Sequence, residues 1–149
     1  MVDISNKSIS ESRNFQLHHL GYATSSIDTS FEIFSPVLVS QKPVLSHTDR
    51  EQNVNVEFYN LKDNLLIEFI SPLNEKSPIN NFLKANPNGA FHHLAYECKN
   101  YSSGLGEMKE KGFKRITAET IGFENRKIAF FLPKKNLTAP LIEIISTKP

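Results

Sequence analysis

Disulfides, charge excess and membrane spans are all missing from this chain, and each absence narrows what it does. Cys98 is the one cysteine, which excludes an intrachain disulfide framework and suits a reducing, cytoplasmic setting. Lys and Arg together number 17 against 16 Asp and Glu, a net charge of +1. That balance offers no electrostatic basis for binding nucleic acid or an anionic membrane. No apolar run approaches the roughly 20 residues needed to cross a bilayer. There is no glycine-rich phosphate loop, no Cys-x-x-Cys pair and no Gly-x-Ser-x-Gly elbow. Cys98 follows Glu97 at the end of a strand and reads as a small buried residue. Residues 1–14 are polar and carry Asp3 and Glu11, so they read as a flexible arm rather than a signal peptide.

What the chain does have, it has twice. Leu17-His18-His19-Leu20-Gly21-Tyr22 recurs as Phe91-His92-His93-Leu94-Ala95-Tyr96. Glu68, within Leu66-Ile67-Glu68-Phe69-Ile70, lies 49 positions after His19. Glu143, within Leu141-Ile142-Glu143-Ile144-Ile145, lies 50 positions after His93. The two histidines are themselves 74 positions apart, too few copies for a solenoid and enough for a duplicated module.

Each copy reads as strand, helix, then three strands. In the first, residues 15–24 alternate as a strand. Ser25 or Ser26 caps a helix with the stripe Ile27, Phe31 and Phe34, ended by Pro36. Strands are expected over 37–46, 53–61 and 65–71, with Asp63-Asn64 as a tight turn. In the second, residues 89–98 form the strand, and Asn100 or Ser102 starts a helix with the stripe Tyr101, Leu105 and Met108, stopped by Gly112. Strands follow over 113–118, 127–132 and 140–146. The expected fold is α+β: two βαβββ modules curling a mixed sheet around a cleft. Module 1 covers about 15–73, a connector 74–88 and module 2 about 89–146, within a single domain over 15–149.

A carboxylate inside a strand as apolar as either acidic one must be paired, protonated or bound to a metal, since stranding it costs several kcal/mol. The competing reading for each acid is an edge strand with the carboxylate in water. Its recurrence in matching places of a repeat favours a ligand role. His19 and His93 share faces with Gly21, Ala23 and Ala95, leaving room above the sheet. His18 and His92 fall on the opposite face with Leu20, Tyr22, Leu94 and Tyr96, and read as structural packing against the helices. His47, beside Asp49 and Glu51 and without a repeat partner, reads as surface. Two imidazoles and two carboxylates, His19, Glu68, His93 and Glu143, suit one divalent ion: zinc, cobalt, nickel, iron or manganese.

These residues resemble the vicinal oxygen chelate superfamily, the glyoxalase and bleomycin-resistance fold, and within it the methylmalonyl-CoA epimerases. The resemblance covers roughly residues 15 to 146. It is carried by the two His-His strands, by the two acidic strands with Ser71-Pro72-Leu73, and by Ser77-Pro78-Ile79-Asn80-Asn81-Phe82-Leu83. It implies a metal on His19, Glu68, His93 and Glu143, a homodimer, and a metal-stabilised enolate formed when a proton leaves the carbon beside a carbonyl. Glu143 is then the expected catalytic base, with Glu68 opposite as second catalytic carboxylate. The implied substrate is a small molecule, an acyl thioester such as an acyl-CoA. The alternatives are a glyoxalase I-like lactoylglutathione lyase and a non-catalytic small-molecule-binding protein of the drug-resistance type. The chain departs from the family pattern in two places. Before the last strand only Pro133 and Lys134 match the usual His-Pro-Lys and glycine pair, and Val56 stands where some members carry a second acid.

Overall fold

The computed structural model describes residue 9 and residues 13–134 and 140–149. The arm expected over 1–14 therefore lies largely outside the described residues, as does most of the stretch before the last strand that departs from the family pattern. The first half runs β1 (Phe15–Ala23), α1 (Ile27–Phe34), β2 (Leu45–Asp49), β3 (Val54–Lys62) and β4 (Leu65–Pro72). After α2 (Asn80–Ala85) the second half runs β5 (Ala90–Cys98), α3 (Tyr101–Glu110), β6 (Phe113–Arg115), β7 (Thr120–Ile121), β8 (Lys127–Pro133) and β9 (Leu141–Ser146). The strands form one mixed sheet in the order β2-β3-β4-β1-β5-β9-β8-β6, with β7 paired to β8. The repeat is visible in the pairing: β1 runs parallel to β4, β5 runs parallel to β9, and the two halves join antiparallel along β1 and β5. No helix among the described residues is long and apolar enough to cross a membrane.

Local signals set both helices as expected. Ser26 accepts from the Thr29 N–H and Asn100 accepts from the Ser103 N–H, each satisfying an orphan donor of the first turn. Gly112 takes φ +85° just beyond α3, where a side chain would be strained. The helix stripes bury one face of the sheet. Ile27, Phe31 and Phe34 pack with Tyr59, Ile67 and Phe69, and Tyr101, Leu105 and Met108 pack with Phe131, Ile142 and Ile144. Strand alternation sends Glu68, Ile70, Glu143 and Ile145 to the other face. There a third cluster gathers Ala23, Val54, Val56, Phe58, Phe123 and Ile128.

Two expected strands are shorter than the apolar patterns suggested. The strand expected over 37–46 begins only at Leu45. A 3₁₀ turn occupies Ser35–Val37, and Pro43 has no N–H to give a ladder. The segment still tracks β3, since Val39 and Val44 donate to Asn60 and Phe58 carbonyls. The strand expected over 113–118 stops at Arg115, and the two-residue β7 follows it.

Gly21 governs how closely the halves approach. It lies opposite His93 across β1 and β5, as Ala95 lies opposite His19. A Cβ at Gly21 would fall 2.0 Å from His93 Cε1. We therefore expect Gly21→Ala to displace the His93 ring and lower stability by about 1–3 kcal/mol. Chemical denaturation checks this, and unchanged stability would show that the ring has room to move.

Candidate metal centre

Four side chains from the four central strands meet on the sheet face opposite α1 and α3. His19 comes from β1, Glu68 from β4, His93 from β5 and Glu143 from β9. All four are buried, with Glu68 at 5% and Glu143 at 3% exposure, so neither acid is the solvated edge residue of the competing reading. One ligand atom from each lies within 4.8 Å of the others. The contacts cross between the halves. His19 Nε2 is 3.0 Å from Glu143 Oε2, and His93 Nε2 is 3.0 Å from Glu68 Oε2. The remaining approaches are 3.1 Å for His93 to Glu143 and 3.6 Å for His19 to Glu68.

The donor set fits a divalent cation. Two Nε2 atoms face each other at 3.2 Å, and the Oε2 atoms of Glu68 and Glu143 are buried without a hydrogen-bond partner. Close but undirected contacts of this kind aim four lone-pair donors at a common point. Imidazole with carboxylate is the ligand mixture of zinc and its first-row neighbours.

Electrostatics couple the four groups. Burial works against charging His93, but Glu143 and Glu68 outweigh it and lift its pKa to about 10. His19 is likewise raised, burial being overcome by hydrogen-bonding and charge contributions from Glu143 and Glu68. Burial disfavours the Glu143 and Glu68 carboxylates too. The two histidines override it and bring Glu143 down to about 2 and Glu68 well below the usual carboxylate range.

Three histidines lie elsewhere than the alternation predicts. His18 and His92 do not lie on the side of α1 and α3. Bulges turn them onto the cluster side, where His18 meets the rings of Phe58 and Phe123 and His92 meets Phe82 and Phe130. Burial, reinforced by the neighbouring cluster histidine, lowers both to about 4. His47 is not in a surface loop. It lies on β2 opposite Val56 and lines a cavity with Glu68, His93 and Glu143. The alternation Leu45, His47, Asp49 was the available signal for it. Val56 is buried in the same wall. Glu57 points to the helix side, where it accepts from the Tyr59 hydroxyl at 2.7 Å.

Known proteins resemble the chain in sequence and in fold. A model of the Glyoxalase/Bleomycin resistance protein/Dioxygenase superfamily matches residues 18–130. The chain is 29% identical over 132 residues to the mitochondrial methylmalonyl-CoA epimerase of Dictyostelium discoideum, spanning 87% of this chain and 76% of that one. It is 31% identical over 121 residues to the Bos taurus mitochondrial enzyme of the same name, spanning 79% and 67%. In fold it is similar to a crystal structure of methylmalonyl-CoA epimerase from Mycobacterium tuberculosis, with a TM-score of 0.75, 22% identity, and 89% and 88% of the two chains covered. The chain belongs to the glyoxalase/bleomycin resistance protein/dioxygenase superfamily, among its epimerase-type enzymes.

Proposed function

We propose that this chain is a metal-dependent epimerase that exchanges the proton on the carbon beside the carbonyl of an acyl-CoA thioester, methylmalonyl-CoA being the first substrate to test. The observation that carries the reading is the buried meeting of His19, Glu68, His93 and Glu143 within 4.8 Å. These four residues would hold one divalent ion, which supplies positive charge for the oxygen that becomes negative as the proton leaves. Glu143 takes the proton as general base and becomes the carboxylic acid, and Glu68, from the other half, returns to the opposite face a proton it has first taken from solvent, becoming a carboxylate. Burial of both carboxylates keeps bulk water from quenching the carbanion before that return. A cavity of about 340 Å³ beside the cluster is lined by Ile70, Ile79, His92, Ile116, Phe130 and Leu141. Its mostly apolar wall suits a short branched acyl group.

Solvent deuterium exchange into methylmalonyl-CoA tests the reading directly. With zinc, cobalt or manganese supplied, we expect exchange at the carbon between the two carbonyls, and Glu143→Gln should lower its rate by about 10²–10⁴-fold. No exchange by wild-type protein with any of these metals would overturn the assignment.

Metal content provides a second check. Purified protein should carry about one divalent ion per chain, and His19→Ala and Glu143→Ala should each lose it. Zinc at about 100 times its dissociation constant should add about 2.7 kcal/mol to wild-type stability. Equal zinc content in all three proteins would place the ion elsewhere.

The pKa shifts set the pH dependence of the metal-free protein. His19 and His93 are raised, so their contribution is full below the ordinary 6.5 and is lost as pH rises through their raised values, about 10 for His93. Glu68 and Glu143 are lowered, so theirs is full above the ordinary 4.5 and is lost as pH falls through their lowered values, about 2 for Glu143. Calorimetry of chelator-treated protein should show the melting temperature dropping along both limbs. Zinc should restore the alkaline limb, because metal binding needs neutral imidazoles. His93→Gln should flatten that limb, and an unchanged profile would contradict the assignment of the shift to the cluster.

A further inference from the structure

The residue before each cluster histidine is itself a histidine, and the geometry gives both the same place. The β1–β5 ladder shifts register between Leu17 and His19 and again between Gly21 and Tyr22. In the first shift His18 is the extra residue on β1; in the second His92 is the extra residue on β5. A bulge redirects the side chain of its extra residue and breaks the alternation of faces. His18 Nδ1 thereby comes to 2.8 Å from His19 Nδ1, and His92 Nδ1 to 3.0 Å from His93 Nδ1. The paired rings stand nearly perpendicular, at 79° and 87°. Neither contact is enforced by chain adjacency alone, since neighbours on a regular strand point to opposite faces.

One proton joins each Nδ1 pair, so one ring donates and the other accepts. Which ring donates follows from the cluster. His19 and His93 aim Nε2 at Glu68 and Glu143, and an imidazole that binds a cation through Nε2 carries its proton on Nδ1. His18 and His92 must then accept at Nδ1 and keep their own proton on Nε2. We propose that His18 and His92 are positioning residues that hold His19 and His93 in the Nδ1–H tautomer, with both Nε2 lone pairs turned to a shared divalent cation. The proposal rests on the metal reading above. A carboxylate is the commoner partner for a ligand imidazole, and the use of histidine here has an electrostatic reason. Two carboxylates already balance a divalent ion in a buried site. A neutral acceptor orients the ligand ring without adding negative charge where low dielectric would magnify it.

Leucine at either position removes the acceptor, and asparagine returns one, its Oδ1 standing where Nδ1 was. The measurement is zinc affinity by chelator competition on His18→Leu, His92→Leu, His18→Asn and His92→Asn, with circular dichroism to confirm folding. Each leucine variant should bind zinc about 10–100-fold more weakly, and the matching asparagine variant should recover most of that loss. Leucine variants that bind zinc as tightly as wild type would overturn the positioning role and leave the metal reading standing. Wild-type protein that takes up no zinc would overturn the metal reading, and this role with it. A tautomer readout covers the case of leucine variants that do not fold. Long-range ¹H–¹⁵N spectra of zinc-loaded wild type should show Nδ1–H on His19 and His93 and Nε2–H on His18 and His92. The reverse assignment in either pair would overturn the proposal.

Discussion

The antiparallel junction of β1 with β5 is the contact on which everything else depends. It sets His19 against Ala95 and His93 against Gly21, so each half supplies the small residue that makes room for the other half's imidazole. The parallel partners β4 and β9 then bring one acid to each side. Each half supplies only one histidine and one acid to the cluster, and His19 meets Glu143 and His93 meets Glu68 across the junction at 3.0 Å. Burying two carboxylates is costly by itself. What makes it tolerable is charge balance. The raised His19 and His93 carry charge opposite to the pair, and under the proposed metal binding one divalent ion with two neutral imidazoles would give the same total.

The bulges serve the same end. A regular strand can present one histidine of a His-His pair to the cleft, and its neighbour goes to the helix side. With one extra residue in each strand, both rings are presented. The aromatic wall then fixes those rings, by edge contacts from Phe58, Phe82 and Phe130 and a tilted one from Phe123.

Much of this was legible in the sequence, and what was legible was local or repeated. The caps at Ser26 and Asn100, the helix stripes and the spacing of His19, Glu68, His93 and Glu143 are patterns within short windows or between two copies. The faces of His18 and His92 were not legible. They depend on a register shift between strands more than 70 residues apart in sequence, and alternation along either strand alone predicts the wrong side. His47 was misplaced for a related reason: the apolar residues from Val37 to Val44 suggested a strand ending near it. Proline geometry and a 3₁₀ turn move the start of that strand to Leu45 and carry His47 into the sheet.

The division between cluster and wall bears on what such a site selects. Under the proposed function the four residues and the junction that holds them would serve one reaction class, proton movement beside a carbonyl, for any substrate with the right oxygens. Discrimination has to come from the wall, because apolar contacts separate substrates that share those oxygens. On β3, Val56 is buried in that wall and Glu57 is turned away to Tyr59. No carboxylate from β3 therefore reaches the cavity, and the titratable groups that do line it beyond the cluster are His47 and Asp49 on β2. Asp49 is engaged, accepting from the backbone and side chain of Gln52 at 2.8 and 3.0 Å. Under the proposed function proton movement is assigned to the two cluster carboxylates, with His47 standing in the same cavity wall. Val54, Ile70 and Phe130 belong to the walls of both this cavity and the larger apolar one beside it, so they shape the space offered to a carbon skeleton.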